Sequence, residues 1–239
     1  MASRAAAVVE AEGAGTGGGA APRAAVGSVD WAQVIRSRLA GTRPQHDPAA
    51  WRVPGPWERA ALEARHFLPT DPTPAAVLIA LVEHAQLTVL LTQRAGTLRN
   101  HAGQISFPGG SIESGDASPA EAALREAREE IGLDPGFVSV IGYLPDHLVI
   151  TGFRVTPVVA VVRPGFTLQL DLAEVQDTFE APVSHVFDPA NHRPVRRRSR
   201  FTGEEVEFID IPYGERVIWG ATSGMLMTLY RVCTEPSAA

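Results

Sequence analysis

The stretch from Ser118 to Leu133, SPAEAALREAREEIGL, constrains this chain more than any other, because it carries its own start and stop signals. Ser118 is a helix cap, Pro119 fits the first helical position, and Glu121 completes a capping box. Gly132 supplies a C-terminal stop. At about 100° per residue, Ala120, Leu124, Ala127 and Ile131 share one face, which is expected to pack on a sheet. Glu126 and Glu130 lie together on one flank with Glu129 beside them, and Arg125 and Arg128 lie towards the other.

Side chains three or four positions apart are helix neighbours, so Arg125 is placed to pair with Glu129 and with Glu121. The charged neighbours of Glu126 at that spacing are Glu129 and Glu130, and those of Glu130 are Glu126 and Asp134. Like charges so placed cost about 0.2–0.5 kcal/mol per pair, and the helix dipole disfavours anions in the C-terminal half. Two readings follow. The flank is an ordinary solvated acidic surface, or the missing cation is a divalent metal. Carboxylate oxygens suit Mg²⁺ or Mn²⁺, and Mg²⁺ commonly works through one or two carboxylates plus substrate phosphates.

The rest of the chain fits one globular domain with appendages: 239 residues, 45% hydrophobic and 20% charged. A net charge of -6 disfavours a wholesale nucleic-acid binder, and no apolar run reaches membrane-spanning length. The single cysteine, Cys233, excludes an internal disulfide and points to a reducing, cytoplasmic compartment. Residues 1–27, rich in Ala and Gly without an apolar period, read as a disordered tail, and 28–73 as a helical and irregular extension. Within that extension a short helix is expected over Trp31–Leu39, with Val34, Ile35 and Leu39 on one face. The proline-broken segment Asp47–Pro74 is expected to wrap the surface, anchored by Trp51 and Trp57.

From residue 74 to 235 the pattern mixes strands and helices without regular alternation. AVLIALV and LTVLLTQR read as two strands around the turn EHAQ, followed by a long loop from Ala95 to Ser106 that ends in FPGG. FVSVIGYLPDH and FRVTPVVAVV read as further strands, with a short helix near LAEV around VSHVF. EEVEFIDIPY and RVIWGAT read as a terminal hairpin, and SGMLMTLYRV as a closing helix. This order suggests α+β or an α/β/α sandwich on a mixed sheet.

Within GGSIESGDASPAEAALREAREEIGL, the residues Arg125, Glu126, Ala127, Glu129, Glu130, Gly132 and Leu133 resemble the second half of the Nudix box. The spacing from Gly110 to Arg125 is one residue longer than in the general box. Asp116 stands near the place of the box's first glutamate and receives no catalytic part. The longer spacing resembles the coenzyme A branch of the family. A second stretch, LLTQRAGTLRNHAGQISFPGG, is similar to the signature of coenzyme A pyrophosphatases, with Arg94, Ala95, Arg99, Gly103, Phe107, Pro108, Gly109 and Gly110 filling it.

The resemblance implies a Nudix α/β/α sandwich that hydrolyses the pyrophosphate of coenzyme A to 3',5'-ADP and 4'-phosphopantetheine, with Mg²⁺ or Mn²⁺. By resemblance, Glu126 and Glu130 are the principal metal ligands and Glu129 a further ligand or bridge. Arg125 then holds Glu129 in place. Glu174, in LAEVQDTFEAP, and Glu129 are alternative general bases. Arg94, Arg99 and His101 are candidates for contact with substrate phosphates, because guanidinium matches phosphate geometry with paired donors. Gly109 and Gly110 let backbone approach the metal and phosphates closely. The rival substrates are other nucleoside diphosphate derivatives, such as ADP-ribose or a dinucleotide, and a Nudix-like binding module without catalysis is a third reading. The basic run Arg193–Arg200 reads as a solvated loop or hairpin edge, since it lacks interleaved aromatics. A homodimer is compatible with such a chain, whose sequence leaves oligomeric state open.

Overall fold

A computed structural model describes residues 6–10, 29–45, 71–97, 102–149, 151–198 and 205–235. Its centre is an eight-stranded mixed sheet. The main path runs through β10 (Val175–Pro182), β3 (Leu87–Arg94), β2 (Thr73–Glu83), β8 (Phe153–Val162) and β6 (Val138–Tyr143). Short strands extend it: β4 (Ile105–Ser106) on β3, β5 (Gly109–Ser111) on β2, and β7 (His147–Leu148) on β8. β2 and β8 run parallel while the other pairs are antiparallel. The β2–β3 hairpin lies where the apolar runs predict it.

Alternation along β2 divides the protein into two layers. Leu78, Ala80 and Val82 pack under helix α2 (Pro119–Ile131), together with Val158, Ala160 and Val162 of β8. Ile79 and Leu81 face the opposite layer. There, α1 (Trp31–Leu39) and α4 (Gly220–Thr234) pack with a three-stranded sheet of β11 (Arg193–Arg198), β12 (Glu205–Tyr213) and β13 (Arg216–Ile218). Both faces of the central strands are buried, which is why β2 and β8 read as continuous apolar runs. The architecture is the expected α/β/α sandwich. Each fully buried Leu, Ile or Val contributes roughly 1.5–3 kcal/mol, so the sheet's two faces are the rigid platform for everything it carries.

Several segments depart from the sequence expectation. The FPGG stretch is not all loop: Gly109–Ser111 pairs with Ala75–Val77, because a strand edge left open beyond β3 accepts it. The acidic stretch LAEVQDTFEAP does not start a helix. Leu172 to Glu174 form a turn between β9 (Thr167–Asp171) and β10, and the only helix there is the single turn α3 (Val183–Val186). The basic run forms the edge strand β11, in keeping with a hairpin-edge reading, with Arg196 near Glu207 at 3.6 Å. Arg197 donates two hydrogen bonds to Asp210 at 2.8 and 2.7 Å, and its guanidinium stacks 4.6 Å from the Trp219 ring. Five residues of the segment read as a disordered tail, Ala6–Glu10, form β1 against β9, where Val8 and Val9 suit an extended backbone. Most of Asp47–Pro74, including Trp51 and Trp57, lies outside the described residues, as do Arg99 and His101. Among the described residues no helix is long and apolar enough to cross a membrane.

Candidate active site

Helix α2 begins and ends as its local signals require. Ser118 accepts from the Glu121 backbone N–H at 3.2 Å, while Glu121 accepts from the Ala117 N–H at 2.7 Å, one residue earlier than an ordinary capping box. Gly132 closes the helix with φ 68°, a conformation that only glycine adopts without cost. The buried face is rotated from the expected one. Ala122, Ala123, Ala127, Glu130 and Ile131 are buried, whereas Ala120 and Leu124 are half-buried. Three alanines at the contact let the helix approach β2 and β5 closely. That proximity carries Glu130, 4% exposed, against the backbone of β5.

The Gly109 N–H donates to Glu130 Oε2 at 3.2 Å, and Arg94 Nη1, at the end of β3, stands 3.9 Å from Glu130 Oε1. Burial pushes the Glu130 carboxyl up to about 8, against the opposing pull of the Gly109 N–H and the Arg94 charge. Burial also raises Glu126, partly offset by Arg125. The negative charges of Glu126 and Glu174 raise Glu130 further, so three carboxylates share one field. Gly110 lies directly under Glu126: a Cβ built there would sit 2.5 Å from Glu126 Oε1. The absence of a side chain at 110 is therefore what leaves room for the Glu126 carboxylate.

Arg125 is held differently from the i,i+4 expectation. Its contact with Glu129 exists, at 3.3 Å, but its principal partner is Asp116. Nε donates to Asp116 Oδ1 at 3.1 Å and Nη2 to Oδ2 at 3.0 Å, a two-pronged clamp. Nη1 also donates to Glu126 Oε1 at 3.0 Å, and Nη2 to the Ser111 carbonyl at 3.1 Å. So Glu126 does have a cation, its own neighbour, and Glu130 has one from another strand. The Arg125 guanidinium holds Asp116 below the usual carboxylate range. Asp116 sits nine residues from Arg125 across a turn in which it also accepts from the Glu113 N–H at 2.8 Å. The spacing of the box is the signal that could have found it. Asp116→Asn should lower turnover about tenfold with little change in Tm, since outer partners of such sites are worth 10–100-fold; steady-state kinetics beside a melting curve checks it.

Glu174 occupies the β9–β10 turn with its side chain exposed, and its carbonyl accepts from the Ala95 N–H at 2.8 Å. That bond ties the turn to the residue after Arg94. Glu129 is exposed, one turn along from Arg125, and its charge acts on Glu126. Thus the structure brings together Arg94, Gly109, Gly110, Arg125, Glu126, Glu130 and, at the rim, Glu129 and Glu174.

Among the described residues no three His, Cys, Asp or Glu side chains form a closed metal cage. The donor set is nonetheless one a hard cation accepts. Glu126 and Glu130 offer carboxylate oxygens over a glycine floor, and Mg²⁺ ordinarily completes such a partial set with water and substrate phosphate.

The chain is 42% identical over 155 residues to the uncharacterized Nudix hydrolase NudL of Citrobacter koseri, spanning 65% of this chain and 80% of that one. It is 41% identical over the same span to NudL of an Enterobacter species. Similar solved structures include the Ap4A hydrolase of C. elegans, at 20% identity, a TM-score of 0.40, and coverage of 46% of this chain and 80% of that one. The NUDIX domain of Shewanella oneidensis NrtR complexed with ADP ribose gives 22% identity and a TM-score of 0.39, over 54% of this chain and 85% of that one. Backbone likeness of that size carries no weight for substrate. The NUDIX domain model matches residues 72–206, which contain the acidic helix, the glycine strand and the Glu174 turn. The chain belongs to the Nudix hydrolase family.

Proposed function

We propose that the chain hydrolyses the pyrophosphate bond of coenzyme A and its derivatives, giving 3',5'-ADP and 4'-phosphopantetheine, with Mg²⁺ or Mn²⁺ as cofactor. The observation that carries this reading is the course of LLTQRAGTLRNHAGQISFPGG. It starts in β3, brings Arg94 to 3.9 Å from Glu130, and ends with the Gly109 N–H on the same carboxylate. A stretch resembling a coenzyme A signature thus runs into the acidic helix.

Glu126 and Glu130 hold the ion, with Glu129 as a further, outer carboxylate. The ion, when bound, neutralises the diphosphate and lowers the pKa of the attacking water. Arg125, fixed by Asp116, keeps Glu126 and Glu129 in place. Arg94 neutralises Glu130 from the strand side and is positioned to meet substrate phosphate. Arg99 and His101, in the same signature, are by that resemblance further candidates for contact with substrate phosphate. Of the two carboxylates open to the part of general base, Glu174 is favoured. Glu129 is engaged by Arg125, whereas among the described residues the Glu174 side chain has no hydrogen-bond or ion-pair partner, and it lies within the field of both Glu126 and Glu130. A free carboxylate facing the reacting water accepts its proton without first breaking a bond.

Incubation of the purified chain with coenzyme A and Mn²⁺ or Mg²⁺ is expected to yield 3',5'-ADP and 4'-phosphopantetheine by mass spectrometry. Faster turnover of ADP-ribose or a dinucleotide in the same panel would overturn the coenzyme A assignment while leaving the hydrolase assignment intact.

A further inference from the structure

Thr92 is the buried polar side chain of β3, 1% exposed in a strand whose neighbours Val89, Leu90 and Leu91 are apolar core. It stands inside the Leu-Leu-Thr-any-Arg run, yet no step above uses it. A threonine in a strand commonly satisfies its hydroxyl on the nearest carbonyl and does nothing more. Here both of its hydrogen bonds go to one residue. Thr92 Oγ1 donates to the Ser106 carbonyl at 3.1 Å, and with that proton committed, Ser106 Oγ donates back to Thr92 Oγ1 at 2.9 Å. Ser106 is thereby held by its backbone and its side chain at once.

The place of that anchor gives it consequence. β4 is two residues long and pairs with β3 at Thr92 and Gln93. On the side away from Ser106 the hairpin continues through the Arg94 N–H on the Gln104 carbonyl at 2.9 Å and the Gly103 N–H on the Arg94 carbonyl at 3.1 Å, and Thr222 Oγ1 donates to the Ile105 carbonyl at 2.9 Å. Immediately after Ser106 come Phe107, Pro108, Gly109 and Gly110. Pro108 has no N–H to donate, and its carbonyl accepts from the Leu78 N–H at 2.9 Å. The next two residues are the ones that receive Glu130 and Glu126. Those bonds fix the hairpin up to Ile105; at Ser106, the end next to the glycines, the reciprocal hydroxyl pair is the side-chain lock.

We propose that Thr92 is a positioning residue for the acidic site: through Ser106 it sets the height of the Gly109–Gly110 backbone against Glu130 and Glu126. This rests on the reading that those two carboxylates hold the divalent ion. Loss of the hydroxyl leaves the β-branched shape but frees Ser106. The Gly109–Gly110 backbone is then held from the β2 side alone, its placement against Glu130 and Glu126 loosens, and the ion binds more weakly.

The test uses the full chain with Mn²⁺ as probe. Two quantities are read: the Mn²⁺ concentration giving half-maximal coenzyme A hydrolysis, and the Mn²⁺-induced rise in Tm without substrate. Thr92→Val is expected to raise the half-saturating Mn²⁺ about tenfold or more and to shrink the Tm rise, while Thr92→Ser stays near wild type. A folded Thr92→Val protein with unchanged Mn²⁺ dependence overturns the proposal, as does a Thr92→Ser protein equally impaired. Should Thr92→Val not fold, Ser106→Ala, which removes only the returning bond, is expected to shift Mn²⁺ dependence in the same direction by less, and no shift overturns the proposal. Glu130→Gln that retains the full Mn²⁺-induced Tm rise would instead overturn the reading of the site, whatever Thr92 does.

Discussion

Glu130→Gln should lower turnover by more than about 100-fold and yet leave the metal-free protein at least as stable as wild type at pH 8. The activity loss exceeds the 10–100-fold that outer partners of a metal are worth, because a carboxylate proposed to hold the ion directly is removed. The stability result follows from burial. Glu130 is 4% exposed, and its carboxyl is pushed up to about 8, so the folded chain holds a proton that the unfolded chain releases near its ordinary value of 4.5. Between those values the folded state binds more protons than the unfolded one, and stability falls as pH rises. Glutamine is neutral throughout and keeps a hydrogen-bond acceptor for the Gly109 N–H. The expected outcome is a metal-free Tm that declines from pH 5 to pH 8 in the wild type more steeply than in Glu130→Gln. Conversely, the Mn²⁺-induced rise in Tm should grow with pH over that window, because the cation competes with the proton for one carboxylate. Melting curves across pH, with EDTA and with Mn²⁺, read all three. Equal pH slopes in the two proteins would mean that Glu130 ionises freely, and the buried-ligand account would fail.

That carboxylate also marks where the sequence ceased to be informative. The ends of α2 were legible because Ser118, Pro119, Glu121 and Gly132 act within a few residues of themselves. Strands β2, β3 and β8 were legible because both faces are buried and no polar residue interrupts them for long. The depth of Glu130 was not, since it depends on Gly109 and Arg94 arriving from two other strands. The helical wheel placed Leu124 inside and Glu130 on a flank, and the approach of β5 reversed them. β9 and β10 were missed for a related reason. TLQLD and VQDTFEAP carry polar residues at half their positions, and only pairing with β1 and β3 makes strands of them. Asp116 escaped assignment because its partner lies across a turn, beyond any helical spacing.

Two adjacent glycines should fail in opposite ways when each is replaced by alanine. At Gly109, φ is 155°, and a Cβ would meet the Ala76 carbonyl at 2.4 Å and Val77 Cα at 2.7 Å. Both obstacles are backbone of the central strand β2, which cannot move without disturbing the core on both faces. Overpacking of about 1–3 kcal/mol adds to backbone strain of similar size, so Gly109→Ala should cost about 3 kcal/mol or more. For a chain of this size that lowers Tm by roughly 6–12 °C. At Gly110 the three nearest obstacles all belong to the Glu126 carboxylate, at 2.5 to 2.8 Å. A side-chain terminus yields where a strand does not. Gly110→Ala should therefore fold with a near-normal Tm while Glu126 is displaced by about an ångström, a misplacement that costs on the order of 100-fold in rate. The displaced carboxylate also leaves Arg125, which holds it at 3.0 Å, and the arginine then settles on Asp116 and Glu129. Calorimetry and steady-state kinetics on the two variants separate the roles. If Gly110→Ala keeps wild-type turnover, Glu126 is not held where the reaction needs it. If Gly109→Ala melts with the wild type, β5 is not seated on β2, and the Gly109 N–H has no fixed claim on Glu130.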